Sequence, residues 1–130
     1  MNERDAHLFF GSVEFADPTL LISGDEQTLL WLADQIESRQ IASLRQGHPS
    51  FVVADRSMSL IPVEGAGRLH QQHGQYEWRI GKEQAHDFAE RLRMLARSAR
   101  PAHAYLDTDS VLQIVASKGE YDLQRLVSEQ

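Results

Sequence analysis

The chain has 130 residues, of which 42% are apolar, and it carries a formal net charge of -6 at pH 7. One compact domain with a hydrophobic core fits this length, and a membrane span is excluded because no run of about 18 apolar residues occurs. The sequence contains no cysteine, which excludes disulfides, thiolate metal ligands and thiol catalysis.

The negative charge lies in the first half of the sequence. Ten acidic and four basic residues precede Gly65, whereas nine of each follow it. An acidic surface repels phosphate backbones and attracts basic proteins, so we expect a protein partner rather than nucleic acid. A simpler alternative is that the charge only keeps the protein soluble. The charged first ten residues lack the apolar segment of a secretory signal, and we therefore expect a cytoplasmic protein.

The first 45 residues predict a hairpin followed by a helix. Residues 7–15 and 19–22 are rich in aromatic and branched side chains, and the Asp-Pro pair between them favours a turn. Ser23 and Glu26 have the spacing of a capping box, which predicts a helix start. We expect this helix to fade near Arg45 and to bury one stripe of side chains, Leu29, Leu32, Ala33 and Ile36.

Short apolar runs in the middle of the chain predict further strands. The runs cover residues 51–54, 58–63 and 68–80. Within the last run, the polar segment 70–74 is consistent with a solvent-facing strand, a bulge or a loop. Gly65 and Gly67 lack the strand-loop-helix context of a phosphate-binding loop, so we interpret them as turn glycines.

The C-terminal third gives the clearest pattern. Alternating apolar residues up to Ile80 predict a strand, and a helix follows until Pro101, which disfavours helical geometry in the residue before it. The buried stripe of this helix is expected to contain Phe88, Ala89, Leu92, Leu95, Ala96 and Ala99. Residues 103–106 and 111–116, joined by Asp-Thr-Asp-Ser, then predict a hairpin, and residues 122–127 a helical turn.

The elements follow the order β-β-α-β-β-β-α-β-β, which predicts a single α+β domain spanning residues 1–130. We expect a mainly antiparallel sheet with two helices packed on one face. The segment LADQI at 32–36 resembles FAERL at 88–92, which suggests an internal duplication of a strand-helix unit, although apolar spacing alone also produces such matches.

Three polar side chains that could carry chemistry alternate along the strand before the last turn. His103, Tyr105 and Asp107 share one strand face, and with Ser110 nearby they form a candidate enzyme or ligand-binding site. Residues i and i+4 of a strand lie about 13 Å apart, however, too far for a hydrogen bond between His103 and Asp107. A polar outer face is the simpler interpretation.

A metal site is not expected. His70 and His73 would chelate a metal on a helix, but on a strand they point to opposite faces, and no third ligand accompanies them. We therefore expect neither a metal nor another cofactor.

Two surface features suggest protein binding. Met94 projects opposite the buried stripe of the second helix, between arginines, and Trp31 falls outside the buried stripe of the first helix. Either a loop covers Trp31 or it is an interface anchor. Arginines near a helix C-terminus and single exposed apolar residues are also common without any function. The candidate partner-binding residues are Trp31, Asp34, Glu37, Arg93, Met94 and Arg97.

The segments FAERLRMLARSARPAHAYLD, SVLQIVASKGEYD and LLISGDEQTLLWLADQI together resemble small bacterial α+β domains of unassigned function and the immunity proteins of polymorphic toxin systems. The resemblance covers the helices and the last hairpin but not the middle strands, and it carries over no functional residue. It implies a cytoplasmic module that binds and neutralises a toxin domain through an acidic surface.

We therefore expect a non-enzymatic protein-binding module, immunity-like, with a toxin domain as its partner. The alternative is a small enzyme or ligand-binding domain that uses His103, Tyr105 and Asp107. A homodimer formed through an exposed strand edge or the Met94 face is compatible with the first function.

Overall fold

A computed structural model describes residues 8–14, 18–45, 52–54, 57–72, 74–106 and 113–120. These segments contain two helices and nine strands. In chain order they are β1 (Leu8–Glu14), β2 (Pro18–Ser23), α1 (Glu26–Glu37), β3 (Ala42–Leu44), β4 (Val52–Ala54), β5 (Ser57–Val63), β6 (Leu69–Gln72), β7 (Gln75–Gly81), α2 (Lys82–Ala96), β8 (Ala102–Tyr105) and β9 (Gln113–Lys118).

The strands form two mixed sheets. The order is β4-β1-β2-β9-β8 in the first sheet and β3-β5-β7-β6 in the second. Four neighbouring pairs are antiparallel, but β1 with β4, β2 with β9, and β5 with β7 are parallel. The predicted α+β class is confirmed, whereas the expectation of one mainly antiparallel sheet is wrong. The parallel pairs join strands far apart in sequence, and local patterns carry no information about such pairings.

The first helix begins two residues later than the sequence indicated and also ends earlier. Its N-cap is Asp25, whose side chain accepts a hydrogen bond from the Thr28 N–H at 2.9 Å, while the Thr28 hydroxyl accepts one from the Asp25 N–H at 3.0 Å. Ser23 is not the cap because it is the last residue of β2, paired with both β1 and β9. The predicted buried stripe of this helix is confirmed.

Helix α1 ends at Glu37 rather than near Arg45 because Arg39 turns the chain. Arg39 has a left-handed backbone with φ of 57°. Its guanidinium donates hydrogen bonds to the carbonyl oxygens of Ile80 at 2.8 Å and Val63 at 3.1 Å. The residues that follow then enter β3 instead of continuing the helix.

Between the two helices, the described residues form five strands, where the sequence predicted three. The run 51–54 supplies β4 to the first sheet, whereas the next run supplies β5 to the second sheet. The run 68–80 folds back on itself as β6 and β7, near Gly74, which has a φ of 76°. The first and last predicted hairpins are confirmed by the pairing of β1 with β2 and of β8 with β9.

Helix α2 buries all the predicted residues except Ala99, which is exposed because the helix ends at Ala96. It packs against α1 and against strands of both sheets, so the helices bridge two sheets rather than cover one face of a single sheet. One continuous core contains side chains from both helices and both sheets. The predicted turn at 107–110 and the helical turn at 122–127 lie outside the described residues.

The two halves of the fold repeat one arrangement, β-β-α-β-β, with β4 as an addition. Helices α1 and α2 begin at Glu26 and Lys82, 56 positions apart. The parallel pair of Thr19 with Gln113 recurs, shifted by the same 56 positions, as the pair of Gln75 with Ser57. Each half places its last two strands in the sheet of the other half. This repetition of register as well as order is the arrangement that an internal duplication would leave.

Glycines allow the loop after β5 to contact the junction of β7 and α2. The side-chain oxygen of Gln84 accepts hydrogen bonds from the Gly67 N–H at 2.7 Å and the Gly81 N–H at 2.8 Å. A Cβ atom on Gly67 would collide with the carbonyl oxygen of Arg79, and one on Gly81 would collide with that of Gly65. Gly65, with φ of 71°, is a turn glycine as predicted, whereas Gly67 is needed for close approach.

We predict that Gly67→Ala lowers the free energy of unfolding by at least about 2 kcal/mol, because the obstructing atoms belong to the backbone and cannot move aside. Gly74→Ala should lower the free energy of unfolding by only about 1 kcal/mol, because a Cβ there meets no atom and only the positive φ is unfavourable. Urea unfolding of both variants measures the difference. Equal losses would contradict the close approach at Gly67.

Candidate functional site

An exposed charged cluster joins α1 to α2. The Arg93 guanidinium donates hydrogen bonds to both carboxylate oxygens of Glu37, at 2.9 and 3.0 Å, and to one of Asp34 at 2.9 Å. Three of the six predicted partner-binding residues are therefore brought together. The sequence placed them on two separate surfaces, but only the contact between the helices makes them one site.

Two residues that the sequence analysis missed extend this cluster. The His86 ring lies 3.8 Å from a Glu37 oxygen and 3.4 Å from a Glu90 oxygen. His86 and Glu90 precede Arg93 by seven and three residues. This helical spacing was the sequence signal that the three residues share one face of α2. We call Asp34, Glu37, His86, Glu90 and Arg93 the interhelical cluster.

The cluster holds its central carboxylate ionised. The hydrogen bonds from Arg93 lower the pKa of Glu37 below its ordinary value of 4.5, and the same bonds raise the pKa of Arg93. Three carboxylates against one guanidinium leave the cluster with a net charge of -2, counting His86 as neutral. Carboxylate oxygens at a surface can bind a cationic group.

The other predicted partner-binding residues lie outside this cluster. Trp31 is half-buried and packs against the core. Arg97 is exposed, and its backbone N–H caps the helix by donating to the Arg93 carbonyl. Met94 is 75% exposed. The sequence analysis missed Ile41, which is 77% exposed and follows α1.

The second candidate site acquires a carboxylate that was not predicted. Within the β8 strand, the rings of His103 and Tyr105 meet edge to face at 5.6 Å, and Glu120 lies 3.0 Å from the Nδ1 atom of His103. The Ser117 hydroxyl donates a 2.6 Å hydrogen bond to the other Glu120 oxygen. Glu120 is 17 residues from His103 in sequence, and only the pairing of β8 with β9 brings them together.

This geometry does not activate a nucleophile. In a Ser-His-carboxylate triad the hydroxyl bonds to the imidazole, whereas here Glu120 separates Ser117 from His103. Partial burial would raise the pKa of Glu120, but the hydrogen bonds from Ser117 and His103 outweigh it and lower the pKa. Asp107 and Ser110, which the sequence analysis assigned to this site, lie outside the described residues, as does His73.

A small cleft lies between the end of α1 and strands β5 and β7. Ile36, Leu60, Pro62 and Ile80 form its apolar lining, and Arg39 lies at its side. Its volume of about 10 Å³ is too small for more than one water molecule, so this cleft does not bind a substrate.

The described segments contain no group of three or more His, Asp or Glu side chains arranged to hold a metal. No helix within them is long and apolar enough to cross a membrane.

No family model, curated protein or solved structure matches the chain. The candidate sites are therefore defined by their geometry alone.

We predict that Arg93→Gln returns the pKa of Glu37 towards 4.5, because the hydrogen bonds that favour its charged form are lost. A carboxylate with a lowered pKa stabilises the fold above its unfolded pKa, and this contribution is lost as pH falls through the folded value. The stability difference between the wild type and the variant should therefore shrink below about pH 4.5. Carboxyl-detected NMR titration and unfolding at several pH values measure both effects.

The control is Arg79→Gln, which removes an exposed arginine that pairs with Glu77 instead. This variant should leave the titration of Glu37 unchanged. A wild-type Glu37 that titrates at its ordinary value would contradict the structure of the cluster.

Proposed function

We propose that the protein is a non-enzymatic binding module that neutralises a toxin domain, in the manner of an immunity protein, by covering a basic surface of its partner. The observation that carries this proposal is the interhelical cluster. It is exposed, retains net negative charge and is built from two packed helices rather than from a loop.

The cluster has carboxylates available for a partner. The side chains of Asp34 and Glu90 are 70% and 62% exposed. Arg93 holds Asp34 and Glu37 in fixed positions, so binding would order few additional side chains, and this reduces the entropic cost of association. Lysine or arginine side chains of a partner would find acceptors already in place.

An exposed apolar residue follows the charged cluster in the sequence. Ile41 is four residues beyond Glu37, which places it within about 15 Å of that residue along the chain. Binding surfaces commonly combine an apolar centre with a charged rim that directs the encounter. The combination of Ile41 with the interhelical cluster supports a protein partner over a small ion.

The wider charge distribution supports the same partner class. Helix α1 contains Glu26, Asp34 and Glu37 and no lysine or arginine. A toxin domain that acts on nucleic acid would carry the positive surface that such a helix attracts. We place this activity in the cytoplasm of a bacterium, and a homodimer is compatible with it.

We expect the protein to restore growth of cells that express a toxin domain encoded by an adjoining gene. Glu90→Lys reverses one exposed charge of the cluster and should weaken the complex by about tenfold and remove the growth rescue. The affinity of the wild type should fall as salt is added, because screening weakens the attraction of exposed charges. Growth assays and calorimetry at several salt concentrations measure these effects.

Glu64→Lys is the matched control, since it makes the same charge change at an exposed residue outside the cluster. It should bind and rescue nearly as well as the wild type. Rescue by Glu90→Lys at the wild-type level would contradict the proposed surface, and a wild-type protein that rescues no adjoining toxin would contradict the function.

A further inference from the structure

The β8 strand has backbone groups that point away from the sheet. It is the last strand in the order of the first sheet, and within the described residues it pairs only with β9. The Leu106 N–H donates to the Ile114 carbonyl at 3.0 Å, so these residues form a hydrogen-bonded pair. Because bonded and non-bonded pairs alternate along an antiparallel ladder, Ala102 and Ala104 bond to β9, whereas His103 and Tyr105 direct their N–H and C=O groups outwards.

An independent contact supports this orientation. The Arg91 guanidinium donates to the Tyr105 carbonyl oxygen at 3.3 Å from outside the sheet. Arg91 also pairs with Asp87 one turn earlier in α2, at 2.9 Å. This side of α2 therefore lies beside the outer edge of β8.

The exposed Met94 is a neighbour of Arg91 on the surface of α2. It is three residues after Arg91, and residues with this spacing are neighbours on a helix surface. Tyr105, 44% exposed, lies on the edge of β8 that no described strand covers, and Met94, 75% exposed, lies next to Arg91, which contacts this edge. Unpaired edges and exposed apolar groups are the two features that favour strand pairing between chains.

We propose that β8 pairs antiparallel with the β8 strand of a second copy of this chain, joining the two five-stranded sheets across a twofold axis. With Ala104 opposite Ala104 of the other copy, His103 lies opposite Tyr105 in both directions. The outward N–H and C=O groups of His103 and Tyr105 in each copy then face a partner group, and the Tyr105 carbonyl accepts this bond in addition to the one from Arg91 of its own chain. This pairing needs no other protein, because under a twofold axis each β8 edge presents the donors and acceptors that the other edge requires.

Charge favours this face over the rest of the surface. Two copies with a net charge of -6 each repel one another, so association is easiest where the local charge is small. Asp87 and Arg91 cancel beside the β8 edge, whereas the interhelical cluster keeps a charge of -2. The dimer brings the Met94 sides of the two α2 helices together.

Analytical ultracentrifugation over a wide concentration range tests the proposal. The wild type should form a dimer, and Met94→Lys should weaken it by at least about tenfold, because it places two positive charges at the contact. Since Met94 is exposed, this variant should fold normally. Ile41→Lys is the matched control, with an equally exposed apolar residue elsewhere, and it should dimerise like the wild type.

Proline substitution tests the strand edge itself. His103→Pro removes an N–H that β9 does not use, so the fold should persist while dimerisation weakens by at least about tenfold. Gln71→Pro makes the same change on the edge of the second sheet. The Arg79 N–H donates to the Arg68 carbonyl, so these two residues form a hydrogen-bonded pair, and the alternation along β6 directs the backbone groups of Gln71 outwards. This control should leave the dimer intact.

Residue-resolved hydrogen exchange gives a direct readout. The amides of His103 and Tyr105 should exchange rapidly in dilute solution and slowly when the protein is concentrated, whereas the Ala104 amide should be protected in both. A protein that stays monomeric at every concentration would overturn the proposal. So would a dimer that Ile41→Lys disrupts and Met94→Lys does not, or one that leaves the His103 and Tyr105 amides unprotected.

Discussion

The exchange of strands between the two sheets is the constraint on which the rest of the structure depends. Each half of the chain forms a hairpin and a helix and then places its last two strands beside the hairpin of the other half. The junctions are the parallel pairs of β2 with β9 and of β5 with β7. Neither sheet is complete without both halves, so the halves are expected to fold cooperatively rather than as separate units.

This constraint also sets the position of the helices. Each helix connects one sheet to the other, and the two meet over a common core. Glu37 and Arg93 are 56 positions apart, so they occupy equivalent positions in the two halves. Their hydrogen bonds therefore join the two halves at the same point of the repeat. Two identical charged residues at these equivalent positions would repel each other. Because one half has a glutamate there and the other an arginine, the two residues form an ion pair instead.

The two surfaces that follow from this arrangement differ in chemistry. The side of α2 that faces α1 carries carboxylates and retains negative charge, whereas Asp87 and Arg91 balance each other beside β8, whose outer edge no described strand covers. We propose a basic protein as the partner of the first surface and a second copy of the chain as the partner of the second.

The sequence by itself determined the elements that depend on local periodicity. Helical spacing identified the buried stripes of both helices, and alternating apolar residues identified most strands, because these patterns arise from the geometry of three to four neighbouring residues. The exposure of Met94 followed from the same projection. The sequence did not determine the ends of the first helix. Ser23 pairs with β9 instead of capping the helix, and Arg39, which turns the chain after the helix, bonds to the distant Ile80 carbonyl.

Only the tertiary structure decided the sheets and the sites. Thr19 and Gln113 are hydrogen-bonded across 94 residues, and no local pattern encodes such a partner or its parallel direction. For the same reason the sequence could place Asp34 and Arg93 on exposed faces but could not join them, and it assigned Asp107 rather than Glu120 to His103. Side chains that meet through the packing of separate elements become a site only when the chain has folded.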